Sequence, residues 1–284
     1  MARSYSAQLD AVSRYYDKPE SRWGYRWLLG GTRHYGYYPS GKYIRIKDAH
    51  HEMEHRLVRA LALPADSLVL DAGSGEGRVA LRLSQNAGVR VRGIDIHPPS
   101  VARAQALARQ HPDLDVSFSQ GDFAKSIYPG DSFDGVFTLE TLVHSPDYRA
   151  ALREFHRVLR PGGKVALFEY SIAGPLARSR TQERLWKEIA AGSGMHSLMD
   201  FEHGRLAEAL RDAGFVDVDN RDITKFTLPM LRLFYVLGWL PYQAVKRLRL
   251  ERRFPNTAAA AGVYRDIIDN RAWQYNIVTA AKPT

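Results

Sequence analysis

The chain has 284 residues, 45% of them hydrophobic, which is enough for one large buried core and favours one elaborated domain over two small ones. It contains no cysteine, which excludes a disulfide framework and any metal site built on thiolates. Forty lysines and arginines against thirty-one aspartates and glutamates give a net charge of +9, an excess that suits an anionic partner, a phosphorylated substrate or a solvated surface.

Strands and helices alternate from residue 68 to residue 170, the pattern of a parallel, doubly wound sheet. We predict strands at residues 68–70, 89–94, 116–119, 133–138, 164–169, 216–223 and 275–280. We predict helices at residues 46–61, 101–110 (with Ser100 as N-cap), 148–159, 178–189, 205–213 and 228–253, and a turn at 160–163. The fold class is therefore α/β, a mostly parallel seven-stranded sheet with an N-terminal helical lid and helical insertions.

We predict an aromatic-rich lid at residues 1–62 and a core at 63–284, with substrate-binding insertions at about 171–213 and 225–268. The lid aromatics could cover a ligand or simply pack into the core. The apolar segment 228–253 suits a membrane surface, a ligand tunnel or ordinary burial. No stretch resembles a signal peptide or a membrane span, so we expect a soluble, cytoplasmic protein with no integral span.

A glycine-rich turn follows the first predicted strand, in the sequence LVLDAGSGEG. Its three glycines are Gly73, Gly75 and Gly77. Glycines permit positive φ and let the backbone approach a ligand closely. Asp95 ends the next strand, where its carboxylate could accept hydrogen bonds from both hydroxyls of a ribose. Hydride-transferring Rossmann enzymes share such a pocket, but their third glycine usually comes one residue later.

These residues resemble the motifs of the class I S-adenosylmethionine-dependent methyltransferases. DAGSGEG resembles the first motif, Asp95 the second-strand acid, Asp122 the acid that contacts adenine, and RPGGK the turn before the fifth strand. The resemblance implies a Rossmann-like fold and S-adenosyl-L-methionine as cofactor. The residues implied to contact it are Asp71, Gly73, Gly75, Gly77, Asp95, Ile96, Gly121, Asp122, Phe123 and Glu140. Asp71 could equally be structural, bonding the glycine loop.

The block His34-Tyr35-Gly36-Tyr37-Tyr38 is similar to one in the sterol, tocopherol and terpenoid (prenyl) C-methyltransferases. This similarity implies an enzyme of terpenoid biosynthesis that methylates an alkene carbon of an isoprenoid chain, on a prenyl diphosphate or a prenylated natural product. The residues implied to contact the substrate are Tyr25, His34, Tyr35, Tyr38 and Arg178. Arg178 could instead be one of many solvated charges.

Two other functions stay open. One is a small-molecule O- or N-methyltransferase of the same fold, and the other is a non-catalytic basic binding module. The sequence has no RNA-binding signature, so we expect no nucleic-acid partner, while a homo-oligomer is compatible with the aromatic N-terminal arm.

Methylation of an alkene carbon leaves a carbocation that a base must quench, and it needs no metal. We favour Glu169 as the base, because it ends an apolar strand at the ligand-binding edge of the sheet, where burial raises the pKa of a carboxyl group. A purely structural acid fits the same position. His144 is the second candidate, although it could also be a wall residue, and Glu140 and His34 follow.

Overall fold

The computed structural model describes residues 4–21, 29, 32–264, 267–268 and 272–284. The strands are β1 (Leu68–Ala72), β2 (Arg90–Asp95), β3 (Val116–Gln120), β4 (Phe133–Leu139), β5 (Leu159–Ile172), β6 (Val216–Asp222) and β7 (Trp273–Ala281). They form one sheet in the order β3-β2-β1-β4-β5-β7-β6. Neighbouring strands are parallel except where β7 pairs with β5 and with β6. The predicted fold class is confirmed.

The helices of the described residues flank this sheet. They are α1 (Tyr5–Asp17), α2 (Ile46–Leu61), α3 (Arg78–Ala87), α4 (Pro98–Arg109), α5 (Tyr148–Val158), α6 (Arg180–Ser193), α7 (Arg205–Asp212), α8 (Leu228–Arg247) and α9 (Pro255–Gly262). The prediction that Ser100 is the N-cap of α4 is wrong. The helix begins earlier, with His97 as the N-cap, because Pro98 supplies the helical φ of a first residue.

The predicted turn at residues 160–163 lies within β5. Phe133 pairs with Leu159 and Gly135 pairs with Lys164, so four residues of β5 bulge out of the ladder opposite a single residue of β4. After this bulge, β5 runs in unbroken register with β7 from Lys164 to Ile172. The bulge lies at the opposite end of the sheet from the glycine loop.

The two predicted insertions pack against each other. Helix α8 is shorter than the predicted helix at 228–253 and includes Pro241, and the chain then turns into α9. Helix α9 contacts both α8 and α6, which joins the two insertions. Within the described part of the chain, no helix combines the length and the apolar character needed to cross a membrane.

The strand order places a ligand site at one edge of the sheet. β1 pairs with β2 on one side and with β4 on the other. The order in which successive strands are added to the sheet therefore reverses between β1 and β4. In open α/β sheets ligands bind at the carboxyl ends of the strands beside such a reversal. The glycine loop, Asp95 and Glu140 all follow strands that end there.

Candidate active site

Five of the predicted cofactor residues line one cavity, which we name the glycine-loop cavity: Asp71, Gly73, Gly75, Asp95 and Glu140. The loop is held by its backbone, because the Gly73 N–H donates to the Ile94 carbonyl oxygen at 2.8 Å. Gly77 does not line the cavity, but it has φ +79° and its absent Cβ would lie 2.6 Å from Phe118 Cζ. The loop therefore needs glycine there for both conformation and space.

Asp95 fixes the shape of this loop. Its Oδ2 accepts the Gly75 N–H at 2.8 Å, and its Oδ1 accepts the His97 N–H at 2.8 Å. Burial raises the pKa of Asp95, while the two N–H groups oppose that shift. A ribose contact from Asp95 stays a prediction, and each carboxylate oxygen keeps a second lone pair for it.

The cavity fits a cationic nucleoside. Asp71 is buried, and its Oδ2 has no hydrogen-bond partner among the described residues. Burial, together with the nearby Asp95, raises the pKa of Asp71 well above its usual range. A Cβ on Gly75 would meet no described atom within 4 Å, so the backbone there faces open space. S-Adenosylmethionine carries an ammonium and a sulfonium, and a cation beside the unpartnered Asp71 Oδ2 would favour the charged form of that carboxyl group.

The remaining predicted cofactor residues lie beside this cavity rather than among its described lining residues. Gly121 donates its N–H to the Asp95 carbonyl oxygen at 2.9 Å, which places the loop after β3 next to β2. Asp122 accepts the Ala124 N–H at 2.9 Å and the Tyr5 hydroxyl of α1 at 2.7 Å. Phe123 packs on Phe155, and Ile96 follows Asp95, partly buried. Their contacts with the cofactor stay predictions.

A second and larger cavity, the aromatic cavity, has a volume of about 310 Å³. Its apolar lining includes Tyr35, Tyr170, Trp186, Leu231, Phe234 and Trp273. Arg33, His34 and Glu140 line both cavities, so the two share a wall. A large, mainly apolar pocket with a few polar groups is typical of a site for an apolar small molecule.

Glu140 is the acidic residue of this shared wall. Its Oε1 accepts the Tyr35 N–H at 2.6 Å and the Tyr275 hydroxyl at 2.8 Å. Its φ is +60°, a strained conformation for a residue with a side chain. Desolvation raises the pKa of Glu140 to about 8, against the two hydrogen bonds that favour the carboxylate. A carboxyl group with such a pKa can take up a proton near neutral pH.

Glu169, the favoured base from the sequence, has a different environment. Its side chain is buried, and its Oε1 accepts the N–H groups of Thr141 at 3.1 Å and Leu142 at 2.8 Å. It is not among the described residues that line the glycine-loop or the aromatic cavity. Desolvation raises its pKa to about 7. The observed contacts support the structural alternative, in which Glu169 holds the loop after β4.

His144, the second candidate base, is also not among the described residues that line either cavity. Its Nδ1–H donates to the Gly194 carbonyl oxygen at 3.2 Å, and its Nε2 accepts the Tyr16 hydroxyl at 3.1 Å. Desolvation lowers the pKa of His144 to about 4, so the ring is neutral at physiological pH. Tyr16 lines the glycine-loop cavity, so these contacts suit a residue that positions Tyr16.

Two of the predicted substrate residues line the aromatic cavity, two lie elsewhere, and one is outside the described residues. His34 and Tyr35 line the aromatic cavity. Tyr38 is fully buried in a separate small cluster with Met230, and Arg178 is not among the described lining residues. Tyr25 lies outside the described residues.

His34 lies beside an acidic residue, Glu54, that the sequence did not reveal. Its Nδ1–H donates to the Tyr35 carbonyl oxygen at 2.8 Å, and its Nε2 lies 3.6 Å from Glu54 Oε1. Glu54 is buried and receives two hydrogen bonds from one Arg82 nitrogen. Sequence reasoning also missed Trp186 and Phe234, for which the aromatic content of the insertions was the available signal, and Trp273 at the start of β7.

Comparison with known proteins agrees with this geometry. The family model of the methyltransferase domain matches residues 70–167. The S-adenosyl-L-methionine-dependent Diels-Alderase iccD of Talaromyces variabilis is 36% identical over 288 residues, which cover 99% of this chain and 97% of that protein. The cycloartenol-C-24-methyltransferase of Arabidopsis thaliana is 29% identical over 262 residues, covering 87% and 76% of the two chains.

Among solved structures, the 4+2-cyclase SpnF is similar with a TM-score of 0.74 and 24% identity, covering 96% of each chain. At 24% identity, this similarity supports the fold alone. The full-length similarity to iccD, together with the methyltransferase motif region, supports the family and its cofactor, S-adenosyl-L-methionine. The chain therefore belongs to the class I S-adenosylmethionine-dependent methyltransferase family.

Proposed function

We propose that the protein transfers a methyl group from S-adenosylmethionine to an alkene carbon of an isoprenoid chain, with Glu140 as the base. The observation that carries this proposal is the position of Glu140 in the wall shared by the glycine-loop and aromatic cavities. A base there faces the acceptor at the point nearest the donor. Glu140 replaces Glu169 in this role, because Glu169 is not among the described residues that line either cavity and its Oε1 accepts two backbone N–H groups of the loop after β4.

S-Adenosylmethionine supplies an electrophilic methyl carbon on a sulfonium. Asp71 and the glycine loop would hold its cationic end and its nucleoside. When the alkene forms the new C–C bond, the S–CH₃ bonding pair stays on sulfur and the neighbouring substrate carbon becomes positive. The Glu140 carboxylate then takes a proton from the carbon next to that cation, and the C–H pair restores a double bond.

The aromatic cavity suits such an intermediate. Tyr35 packs edge to face on both Trp273 and Tyr275, with ring centroids 5.6 Å and 5.7 Å apart. Tyr35 and Trp273 both line the cavity, and aromatic faces stabilise a nearby cation by roughly 0.5–2 kcal/mol. The apolar lining also excludes water, which would otherwise capture the cation as an alcohol.

The isoprenoid class is supported by the apolar lining and by the similarity to a cycloartenol-C-24-methyltransferase. Arg33 and His34 are the other polar residues of the shared wall. Glu20, Asn256 and Thr257 form a separate, mutually hydrogen-bonded polar group in the lining. An acceptor with a long apolar chain and its reactive double bond near the shared wall matches the apolar lining between them.

The full-length similarity to iccD favours a second candidate, a cycloaddition with S-adenosylmethionine bound but not consumed. A concerted cycloaddition transfers no proton, so it needs the shape of the cavity and no base. Glu140 would then act only as a hydrogen-bond donor in its protonated form. This candidate leaves the raised pKa of Glu140 and its place beside the donor without a catalytic need.

The two candidates are separated by following the label of methyl-labelled S-adenosylmethionine with a panel of acceptors. The panel contains geranyl diphosphate, farnesyl diphosphate, a prenylated indole and a linear polyene. Methyl transfer to carbon predicts a labelled product, with S-adenosylhomocysteine formed in equal amount and the label on carbon by mass spectrometry. A rearranged product of unchanged mass without S-adenosylhomocysteine would establish the cycloaddition instead, and label on oxygen or nitrogen would refute carbon methylation.

A further inference from the structure

The outward face of α8 carries an exposed apolar patch. Val236 is 65% exposed, Leu237 49%, Trp239 47% and Leu240 72%. The helix buries its opposite face, through Met230, Leu231, Tyr242 and Val245. We name the four exposed residues the α8 patch. Contiguous large apolar side chains on a surface indicate a binding surface, because water disfavours them.

Basic residues surround the α8 patch on both sides along the chain. Residues 228–253 contain six lysines or arginines and one acidic residue, Glu251. The six basic residues are exposed: Arg232, Lys246, Arg247, Arg249, Arg252 and Arg253. Glu251 is buried and lies 3.4 Å from Arg184, so it adds little negative charge to this surface. We name these six residues the basic rim.

The α8 patch adjoins the aromatic cavity. Leu237 belongs to the patch and also lines the cavity, together with Gly238 and Pro241. Pro241 is itself exposed, so the cavity lining reaches the surface of α8 at this point. The patch and the aromatic cavity therefore share part of α8.

We propose that the α8 patch and the basic rim dock the protein on an anionic membrane surface, with Trp239 and Leu240 inserted at the interface. A tryptophan at the boundary of apolar and charged groups is typical of membrane interfaces, and an amphipathic helix with a basic side lies in the interface plane. The basic rim matches the negative surface potential of anionic lipid. A second copy of this chain is a poorer occupant, because a symmetric contact over the patch would bring two basic rims together.

The test measures co-sedimentation of the full chain with vesicles of phosphatidylcholine alone or mixed with phosphatidylglycerol. We expect binding to the mixed vesicles, weak binding to the neutral ones, and weakening by salt. Leu240→Glu removes an inserted side chain and is expected to lower the partition coefficient at least tenfold. The matched control is Ile127→Glu, since Ile127 is 81% exposed and lies before β4, away from the patch.

A charge variant tests the basic rim. Lys246→Gln with Arg247→Gln is expected to lower the partition coefficient about fivefold for each charge removed, whereas Arg109→Gln on α4 leaves it unchanged. Equal thermal unfolding midpoints show that each variant is folded.

Three outcomes overturn the proposal. They are no binding to mixed vesicles, equal binding of Leu240→Glu and wild type, and a concentration-dependent dimer that Leu240→Glu disrupts without any vesicle binding. The experiment uses no acceptor and no methyl transfer, so its result is independent of the proposed chemistry.

Discussion

Glu140→Gln is the sharpest test of the proposed chemistry. The amide keeps the size of the side chain and an oxygen that can accept the Tyr35 N–H and the Tyr275 hydroxyl, as Glu140 Oε1 does. It cannot accept a proton at any physiological pH. The substitution therefore removes the base while leaving the shared wall in place.

The expected loss of activity in Glu140→Gln follows from the proposed role of Glu140 as a general base. A positioned general base contributes about 10²–10⁴-fold, or about 3–5 kcal/mol of transition-state stabilisation. Because the pKa of Glu140 is about 8, the carboxylate is a minority form at neutral pH. The kcat/KM for the donor should therefore rise about tenfold per pH unit below 8 and level off above it. In Glu140→Gln this pH dependence should disappear.

The assay follows methylated product by mass spectrometry and the Kd of S-adenosylmethionine by calorimetry. We expect kcat to fall about 10²–10⁴-fold with the Kd changed less than about threefold, since the wall keeps its shape. Glu169→Gln is the matched control, because it alters a neighbouring buried carboxyl group outside both cavities, and its kcat should stay within about threefold of wild type. A Glu140→Gln enzyme within about tenfold of wild type, or an equal loss in both variants, would refute the reasoning.

Three further results are expected. Glu169→Ala leaves the Thr141 and Leu142 N–H groups without their acceptor and should lower the free energy of unfolding by about 2–5 kcal/mol in urea titrations, whereas a loss below about 1 kcal/mol would contradict a structural role. Gly75→Val adds a side chain where the glycine loop faces open space, so the Kd of S-adenosylmethionine should rise at least about tenfold by calorimetry, and unchanged affinity would place the donor elsewhere. Burial lowers the pKa of His144 to about 4, so the unfolded chain takes up the proton first and stability should fall by up to about 3 kcal/mol between its ordinary pKa and pH 4; His144→Gln should flatten that part of the pH profile of urea unfolding.

The sheet and the glycine loop could be predicted because their signals are local. Each strand of the core is a short apolar run bounded by turn residues, and the order of strands and helices along the chain decides the class of sheet. The predicted helix at 46–61 coincides with α2 for the same reason, since its apolar positions repeat with helical period. The glycine spacing likewise predicts the tight loop after β1, in which Gly73, Gly75 and Gly77 all have positive φ.

The proposed base could not be chosen from the sequence, because Glu140 directly follows β4 and Glu169 lies in the neighbouring strand β5 at the same edge of the sheet. What separates them is the direction of each side chain. Glu140 has a positive φ and lies in the wall of both cavities, while Glu169 lies beneath the loop after β4 and accepts its N–H groups. Neither a left-handed backbone at a non-glycine residue nor the path of a neighbouring loop is visible in a strand pattern.

The aromatic cavity depends on contacts between distant parts of the chain. Trp186 of α6, Phe234 of α8 and Trp273 of β7 line it together, although long stretches of sequence separate them. The sequence showed an aromatic-rich chain, yet it assigned Tyr38 to the substrate when that residue packs beside Met230. An aromatic residue in the core and one in a cavity wall occupy the same kind of position in the local sequence pattern. Only the packed fold distinguishes them.

The two candidate functions make different demands on the shared wall. Under the proposed methyl transfer the donor would have to reach across the wall at Glu140, whereas under the cycloaddition candidate a bound nucleoside would only have to complete the wall. S-Adenosylhomocysteine keeps the nucleoside of the donor but has no methyl group to transfer. Under the proposed function, replacing the donor with S-adenosylhomocysteine abolishes product formation from every acceptor, as followed by mass spectrometry, while calorimetry shows that the compound still binds. Product that forms undiminished with S-adenosylhomocysteine would mean that the nucleoside acts by its presence alone, and Glu140 would then lose its role as the base.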